Sequence, residues 1–245
     1  MKLTTILGVR VDCITSAELI DLISITLNTS SKPKQIITVN GEIILKAKNN
    51  PKYKELINNS DIRLCDSTNL HWVSKFTPNP IPQKIPGSSL TLDICQLAQT
   101  LEKRVFLLGS KPGVAKKAAT KLQELFPKLI IAGTSHANPN DPESVKEVKK
   151  SNTDIVFVAY GAPEQEFWIK ENLNNAGAKI YMGVGGTFDM LAGITPRAPI
   201  YLRYPLPLEW LWRLILQPSR FKRIINAVLV FPILAIIDIA FGDKK

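Results

Sequence analysis

Polar side chains and glycines follow several short apolar runs of the chain, at positions where they could act on a substrate. Thr38 and Asn40 follow one run, Asp66 follows a second, and Gln165 and the segment VGGTFD (184–189) follow two others. A carboxylate can take a proton from a sugar hydroxyl, an amide both donates and accepts hydrogen bonds, and glycine N–H groups that open a helix can bind a diphosphate. These residue types together predict a binding site for a phosphorylated substrate.

Each of these residues also has a purely structural interpretation. Asp66 stands where a helix N-cap is expected, and position alone favours the cap. The pair Gly185-Gly186 is also typical of an ordinary turn. Gln165 lies in YGAPEQE (160–166), whose Glu164 and Glu166 would favour a helix N-terminus electrostatically, although this does not account for Gln165.

The short apolar runs and the segments between them indicate the elements that must position these residues. Each run is rich in Ile, Val, Leu or Phe with little alternation, as expected for strands covered on both faces, and helical patterns fill the gaps, notably at 112–125 and 163–173, both of which begin with proline. The pattern predicts an α/β, Rossmann-like, mostly parallel sheet with crossover helices. Ligands of such sheets bind beyond the carboxyl ends of the strands. The predicted strands are residues 35–39, 62–65, 104–109, 129–133, 154–159 and 179–184.

Several common ligand-binding motifs do not occur in the sequence. No Gly-x-Gly-x-x-Gly follows a predicted strand, no Walker lysine is present, and His71 and His136 form no ligand cluster. An Asp-x-Asp motif, which many sugar transferases use to hold a metal-bound nucleotide, is also missing. We therefore expect neither a cofactor nor a metal, and a diphosphate would be bound by backbone dipoles and basic side chains.

Composition describes a globular protein with an anionic partner. Of the 245 residues 45% are hydrophobic and 21% charged, and the formal net charge is +10. Cys13, Cys65 and Cys95 are far apart, which suits a reducing compartment. The first thirteen residues contain only a short, interrupted apolar stretch, unlike a signal peptide, so we expect a cytoplasmic protein.

The chain changes character after Gly193. Four prolines between 196 and 207 precede a basic segment, and an apolar run follows at 224–242. Asn226, Pro232 and Asp238 interrupt this run, and the centre between Asn226 and Asp238 holds only eleven residues, whereas a membrane-spanning helix needs about 20. The pattern predicts a catalytic domain at 1–195 and an appendage at 196–245 that lies on an anionic membrane surface. The alternative is a helix that covers the catalytic domain or an oligomer interface.

Six blocks of the sequence resemble the WecG/TagA/CpsF family of bacterial glycosyltransferases, which includes N-acetylmannosaminyltransferases of wall teichoic acid and enterobacterial common antigen synthesis. The blocks occur in order along nearly the whole chain. They are TVNGEIILKA (38–47), IPG (85–87), LLGSKPGVAKKAA (107–119), DIVFVAYGAPEQEFWI (154–169), VGGTFDMLAGITPRAP (184–199) and LEWLWRLILQPSRFKR (208–223).

The resemblance implies a metal-independent, inverting transfer from a UDP-sugar, typically UDP-N-acetylmannosamine, to undecaprenyl-diphosphate-linked N-acetylglucosamine, at the inner face of the cell membrane. By similarity Asp66 matches the proposed catalytic base. The remaining matches are Thr38, Asn40 and Gln165 in the pocket, Gly185, Gly186 and Asp189 in the nucleotide region, and Arg213, Arg220 and Arg223 at the acceptor diphosphate.

The chain departs from the family pattern at two positions. Ser67 follows Asp66 where relatives usually have glycine. Lys84 stands where some relatives have an arginine, which could bind phosphate through two parallel hydrogen bonds. Two other functions fit parts of the evidence: a dinucleotide-dependent oxidoreductase on the same kind of sheet, and a basic nucleic-acid-binding protein. Neither accounts for the ordered blocks, so we expect no nucleic-acid partner, and the oligomeric state stays open.

Overall fold

The computed structural model describes residues 2–29, 32–195, 209–216, 218 and 221–241. It begins with an antiparallel hairpin, β1 (Leu3–Ile6) and β2 (Val9–Asp12), that the sequence pattern did not predict. Leu7 and Gly8 both have positive φ, 51° and 77°, as the tightest hairpin turns require. Leucine rarely adopts this conformation, so the turn carries little signal in the sequence.

Six parallel strands form the central sheet, which confirms the predicted α/β fold. The strand order is β4-β3-β8-β7-β5-β6. The strands are β3 (Lys34–Val39), β4 (Ile62–Cys65), β5 (Arg104–Gly109), β6 (Ile130–Ser135), β7 (Ile155–Ala159) and β8 (Ile180–Gly183).

Five of the six predicted strands are confirmed to within one residue at either end, and β6 runs two residues further than predicted. The extension follows from pairing with β5, whose register against β6 shifts between Val105 and Phe106. A Cβ atom on Gly133 would lie 2.7 Å from the Phe106 ring, so glycine allows the close approach at this shift.

Helices cover both faces of the sheet. Both predicted helices are present, but they begin after Pro112 and Pro163 and do not contain these prolines: Gly113, with φ of 80°, caps the first, and Pro163 itself caps the second. The helices before the C-terminal segment are α1 (Ser16–Asn28), α2 (Gly41–Lys48), α3 (Pro51–Asn58), α4 (Thr68–Ser74), α5 (Gly87–Thr100), α6 (Val114–Leu125), α7 (Pro142–Lys150), α8 (Glu164–Asn172) and α9 (Thr187–Leu191).

Strand β3 shows that both faces of the sheet are packed. Ile36 belongs to the apolar cluster built with α1, α5 and α6, whereas Ile37 and Val39 belong to the cluster built with the hairpin, α2 and α3. All three side chains are fully buried. The lack of alternation in the strand sequences is explained by this double burial.

The C-terminal segment contains α10 (Glu209–Leu216) and then α11 (Phe221–Ile225), a π-helical turn (Asn226–Val230) and α12 (Phe231–Phe241). The last three form one continuous helix of 21 residues, Phe221–Phe241, here called the tail helix. Pro232 was expected to interrupt this segment, but it is the second residue of α12, just after the π-helical turn, a local adjustment that accommodates proline within a helix.

One side of the tail helix packs on the α/β domain. Phe231 and Ala235 are fully buried, and a Cβ atom on Gly41 of α2 would lie 2.7 Å from the Phe231 ring. The amide of Leu7 donates to Asp238 Oδ2 at 2.9 Å. The opposite side exposes a stripe of large apolar side chains: Leu229, Ile233, Ile236, Ile237 and Phe241.

Candidate active site

The residues that were predicted to carry chemistry follow four neighbouring strands of the sheet. Asp66 follows β4, Asn40 follows β3, Gly185 and Gly186 follow β8, and Gln165 lies in the helix that follows β7. Because these strands are parallel and adjacent, their carboxyl ends span roughly 14 Å, three interstrand spacings. The structure therefore brings these residues to one edge of the sheet, as the sequence predicts.

The carboxylate of Asp66 is held by the N-terminus of α5. Gly87, the first residue of α5, donates its backbone N–H to Asp66 Oδ1 at 2.8 Å. A Cβ atom on Gly87 would lie 3.1 Å from Thr38 Cγ2 and 3.4 Å from Thr38 Oγ1. Thr38 and Asp66 thus meet at Gly87, which has no side chain to separate them. The IPG block supplies this contact.

Asp66 is not the N-cap of the helix that follows it. Ser67 caps α4, because its Oγ accepts the backbone N–H of Leu70 at 3.3 Å. Lys84 lies at the same helix end and donates to Thr68 Oγ1 at 3.1 Å. The interpretation of Asp66 as the N-cap of α4 is therefore wrong, although its carboxylate does accept the first amide of α5. Ser67 therefore has a structural role of its own, and Lys84 brings a positive charge to the start of α4.

Asn40 has a structural role that the sequence analysis did not assign. Its Oδ1 accepts the backbone N–H of Ile43 at 3.0 Å, so Asn40 is the N-cap of α2. The side chain is only partly buried. Thr38 precedes it within β3 and is 9% exposed. Both lie at the predicted edge, and their contact with substrate stays a prediction.

Gln165 connects the turns that follow β7 and β8. The side chain is 3% exposed, and its Oε1 accepts two backbone N–H groups, from Gly161 and from Gly185, each at 3.1 Å. Its Nε2 donates to Glu166 Oε1 at 2.7 Å. Gly183 lies against the same amide, because a Cβ atom there would be 2.5 Å from Gln165 Nε2.

This arrangement changes the expected roles of two residues. The amide of Gly185 was expected to be bare and directed toward a diphosphate, but it donates to Gln165. Both lone pairs of Gln165 Oε1 are occupied within the protein. The geometry therefore favours Gln165 as a residue that positions two glycine turns at the carboxyl edge of the sheet.

Glu166 is a buried carboxyl group that sequence reasoning missed. It is 1% exposed, and its Oε2 accepts the hydroxyl of Tyr53 at 3.1 Å. Burial raises the pKa of Glu166 to about 7, although hydrogen bonds from Gln165 and Tyr53 act in the opposite direction. The same burial raises the pKa of the Tyr53 hydroxyl above its usual range.

The sequence carried one signal for this burial. Glu166 stands three residues before Ile169, which is fully buried, and one helical turn places the two on the same side of α8. Glu164 is exposed. Both acids stand in the first turn of α8, as the expected interaction with the helix N-terminus requires, but Glu166 is buried as well.

Arg223 of the tail helix reaches the N-terminal turn of α2. Its Nε and Nη2 donate to the two carboxylate oxygens of Glu42, each at 3.0 Å. Glu42 also pairs with Lys46 at 3.2 Å, and Lys46 Nζ donates to the carbonyl of Ala162 at 2.7 Å. These bonds connect the tail helix to the turn after β7 through α2.

The structure describes fewer contacts for the remaining predicted residues. Asp189 lies in α9, and its backbone carbonyl accepts the amides of Ile194 and Thr195. Arg213 lies within α10, and Arg220 is outside the described residues. In the part of the chain that the structure describes, no three His, Cys, Asp or Glu side chains are grouped so that they could hold a metal ion.

Comparison with known proteins gives one family and several close relatives. The model of the glycosyl transferase family WecG/TagA/CpsF matches residues 4–245. A Bacillus spizizenii protein is 33% identical over 193 residues, which cover 78% of this chain and 74% of the relative. A Staphylococcus aureus protein is 32% identical over 221 residues, which cover 89% and 87%. Both relatives are named N-acetylglucosaminyldiphosphoundecaprenol N-acetyl-beta-D-mannosaminyltransferase.

Proposed function

The chain belongs to the WecG/TagA/CpsF family of glycosyltransferases, and from this premise we propose that it transfers N-acetylmannosamine from UDP-N-acetylmannosamine to undecaprenyl-diphosphate-linked N-acetylglucosamine. The observation that carries the proposal is the family match over residues 4–245, together with Asp66 at the carboxyl edge of the sheet and held by Gly87. The names of the relatives support the acceptor and the transferred sugar. The product would enter the synthesis of a cell-surface polymer such as wall teichoic acid.

The proposed reaction is a direct displacement that inverts the anomeric carbon. The Asp66 carboxylate takes the proton of the acceptor hydroxyl, whose oxygen attacks the anomeric carbon of the donor. The bond between that carbon and the UDP oxygen breaks, and the electron pair leaves with UDP. The hydrogen bond from Gly87 fixes the orientation of the Asp66 carboxylate, so the base is in position before the substrates bind.

Charge on the leaving diphosphate would be stabilised by fixed dipoles and cations. We propose Lys84 as one such cation; its bond to Thr68, two residues after Asp66, supports this role. In this proposal Gln165 acts on the donor through the turns at Gly161 and Gly185, which its amide holds at a constant separation. Gly186 and Asp189 are proposed to face the nucleotide.

We propose that the reaction needs no metal ion. The motif expected of a metal-bound nucleotide does not occur in the sequence, and the described residues contain no group of metal ligands. Activity should therefore persist in a chelator. Loss of turnover in EDTA, restored by Mg²⁺ or Mn²⁺, would contradict this part of the proposal.

The acceptor lipid requires the enzyme to work at a membrane, and we propose that the tail helix holds it there as a peripheral protein on the cytoplasmic face. By length and composition the helix could cross a bilayer, and only 11% of its most apolar 18-residue stretch is buried against the rest of the protein. Phe231 and Asp238, however, attach it along the catalytic domain, which favours a position in the membrane surface. Arg223 would exchange Glu42 for the acceptor diphosphate.

A donor and acceptor screen tests the proposal directly. UDP-sugars are incubated with a short-chain lipid-diphosphate-N-acetylglucosamine, and UDP release and the glycosylated product are measured. We expect product with UDP-N-acetylmannosamine and only background with UDP-N-acetylglucosamine or UDP-glucose. Product with a different donor would overturn the sugar assignment, and UDP release without a glycosylated lipid would overturn the transfer.

A further inference from the structure

Helix α4, which begins two residues after Asp66, and the turn that follows it expose two large aromatic side chains. Trp72 is 46% exposed and Phe76 is 55% exposed. Their rings contact each other edge to face, with centroids 5.2 Å apart and planes at 77°. The pair is an ordered apolar feature on the surface of the catalytic domain, and none of the proposed chemistry uses it.

The aromatic pair lies on the side of α4 that holds the tail helix. Asn69 and Trp72 are spaced i and i+3 within α4, so their side chains lie on one side of the helix. Phe76 stands in the turn after α4, and its ring contacts Trp72. Asn69 Nδ2 donates to the backbone carbonyl of Ala227 in the π-helical turn of the tail helix, at 3.0 Å. Trp72 therefore lies on the side of α4 that meets the tail helix, and Phe76 lies against Trp72.

The surface that borders the pair has the properties of a membrane-contact face. The tail helix turns Leu229, Ile233 and Phe241, among others, away from the domain. Lys75 is exposed between the two aromatic residues in the sequence, and the chain carries a net charge of +10. Tryptophan beside apolar side chains and cations is typical of proteins that lie in the headgroup region of anionic membranes.

We infer that Trp72 and Phe76 insert into the bilayer and form a second membrane contact, on the catalytic domain itself, beside the one made by the tail helix. The inference rests on the proposed function for the presence of a membrane-embedded acceptor. Trp72 is the fifth residue of α4, which begins two residues after Asp66, so the two lie within roughly 15 Å of each other along the chain. Insertion of the pair would therefore hold Asp66 close to the membrane surface, where the acceptor sugar lies because a diphosphate joins it to the lipid.

The experiment compares full-length double variants on vesicles of phosphatidylglycerol and phosphatidylcholine. In Trp72→Ser with Phe76→Ser we expect vesicle binding to fall roughly tenfold or more, because two apolar side chains are lost from the contact. Turnover on acceptor embedded in the vesicles should fall with it, while turnover on a short-chain acceptor in solution stays unchanged. The matched control is Ile25→Ser with Leu125→Ser, two comparably exposed apolar residues on α1 and α6, which should bind vesicles normally.

Quenching of tryptophan fluorescence by brominated phosphatidylcholine reports the position of Trp72 independently. Trp72→Phe should remove a measurable part of the quenching, whereas Trp168→Phe should not, because Trp168 is only 2% exposed. Undiminished quenching in Trp72→Phe, or normal vesicle binding by the double serine variant, would overturn the inference.

Other outcomes separate the inference from the function on which it rests. A double serine variant that binds vesicles normally but changes its sedimentation as an oligomer would assign the pair to a second copy of the chain and overturn the inference. Equal loss of turnover on soluble and embedded acceptor would overturn it as well. If the intact protein transferred no sugar but Trp72 were still quenched by brominated lipid, the proposed function would fail and the membrane contact would stand.

Discussion

Asp66 and Ser67 divide two tasks at the end of β4. Ser67 satisfies an amide at the start of α4, while Asp66 turns toward the first residue of α5. Because the serine supplies the cap, the carboxylate is not needed to begin the helix. A substitution at Asp66 therefore leaves the cap of α4 in place and alters only the hydrogen bond to the first amide of α5.

Asp66→Asn should lower turnover by roughly a hundredfold or more, the usual scale for loss of a general base. The amide keeps an oxygen that can accept the Gly87 N–H, so the melting temperature and UDP binding should stay close to those of the parent. Asp21→Asn, at an exposed position of α1, is the control. Normal turnover in Asp66→Asn would remove Asp66 from the mechanism.

Glu166 gives stability a dependence on pH. Its pKa lies near 4.5 in the unfolded chain and is raised to about 7 by burial in the folded protein. Between these values the folded state holds a proton that the unfolded state has lost, so stability decreases as pH rises through this window. Below 4.5 and above 7 the contribution is constant.

Glu166→Gln keeps the shape of the side chain and cannot titrate. The stability advantage of the parent over this variant should therefore fall by at most roughly 3 kcal/mol as the pH rises from about 4.5 to about 8. This corresponds to a decrease of about 10 °C in the difference between their melting temperatures. Thermal unfolding of both proteins over this range measures the difference. A difference that does not change with pH would show that Glu166 has an ordinary pKa.

At the scale of elements, α8 ties the turns after β7 and β8 together through one amide side chain. Gly183 makes room for it, since any side chain there would occupy the position of Gln165 Nε2. The glycine is therefore required by packing in the strand and not by a turn, because its φ lies outside the left-handed region. Substitution at Gly183 should disturb both turns at once.

Gly183→Ala should destabilise the protein by roughly 1–3 kcal/mol, the usual cost of overpacking, and should reduce turnover because Gln165 is displaced. Gly186→Ala is the matched control for stability: its φ is −79°, and an added Cβ would meet no atom within 4 Å. Calorimetry of the two variants gives the comparison. Equal melting temperatures would mean that the hydrogen bonds of Gln165 to Gly161 and Gly185 contribute little to stability.

The tail helix is apolar on both sides, and its two sides contact different surroundings. Phe231 is buried against Gly41, next to the N-cap of α2, whereas Phe241 is 84% exposed. Removal of the segment would uncover the apolar surface under Phe231. Point variants on the two sides therefore separate docking from membrane binding better than a truncation does.

Phe231→Ala should lower the free energy of unfolding by roughly 3–5 kcal/mol if the tail helix unfolds with the domain. Hydrogen exchange at the Leu7 amide, which the docked helix protects through Asp238, should become faster. Phe241→Ala should leave stability within about 0.5 kcal/mol but weaken vesicle binding. The reverse pattern would mean that Phe231 faces the membrane and Phe241 the domain.

At the scale of the molecule, charge and apolar surface act together. The protein carries a net charge of +10, and Arg223 and Lys222 begin the helix whose outer side is apolar. Salt screens the attraction of exposed cations to anionic lipid but leaves apolar insertion in place. The two contributions can therefore be separated by ionic strength.

Vesicle binding by the intact chain should weaken as salt rises from 0.1 M to 1 M, where the Debye length falls from about 10 Å to about 3 Å. A salt-resistant remainder should persist, and it should be lost in variants of the exposed apolar side chains. Cosedimentation with anionic and with neutral vesicles measures both parts. Binding that vanishes entirely in high salt would exclude apolar insertion.

The sequence alone determined the sheet and the edge at which the site lies. Ile36 and Ile37 are apolar side by side because helices cover both faces of β3, so an unbroken apolar run identifies a buried parallel strand. Residues that follow such strands are then placed at the carboxyl edge without further information. The family blocks added the expected base, Asp66, at one of these positions.

Only the tertiary structure decided which side chains, distant in sequence, contact one another near that edge. Glu166 meets Tyr53 across 113 positions, and Arg223 meets Glu42 across 181. Local patterns describe how a segment is folded, but not which segment packs against it. The physical reason is that a helix start, a buried acid or an apolar tail has several partners that satisfy it equally well locally, and the packing of the whole chain selects one.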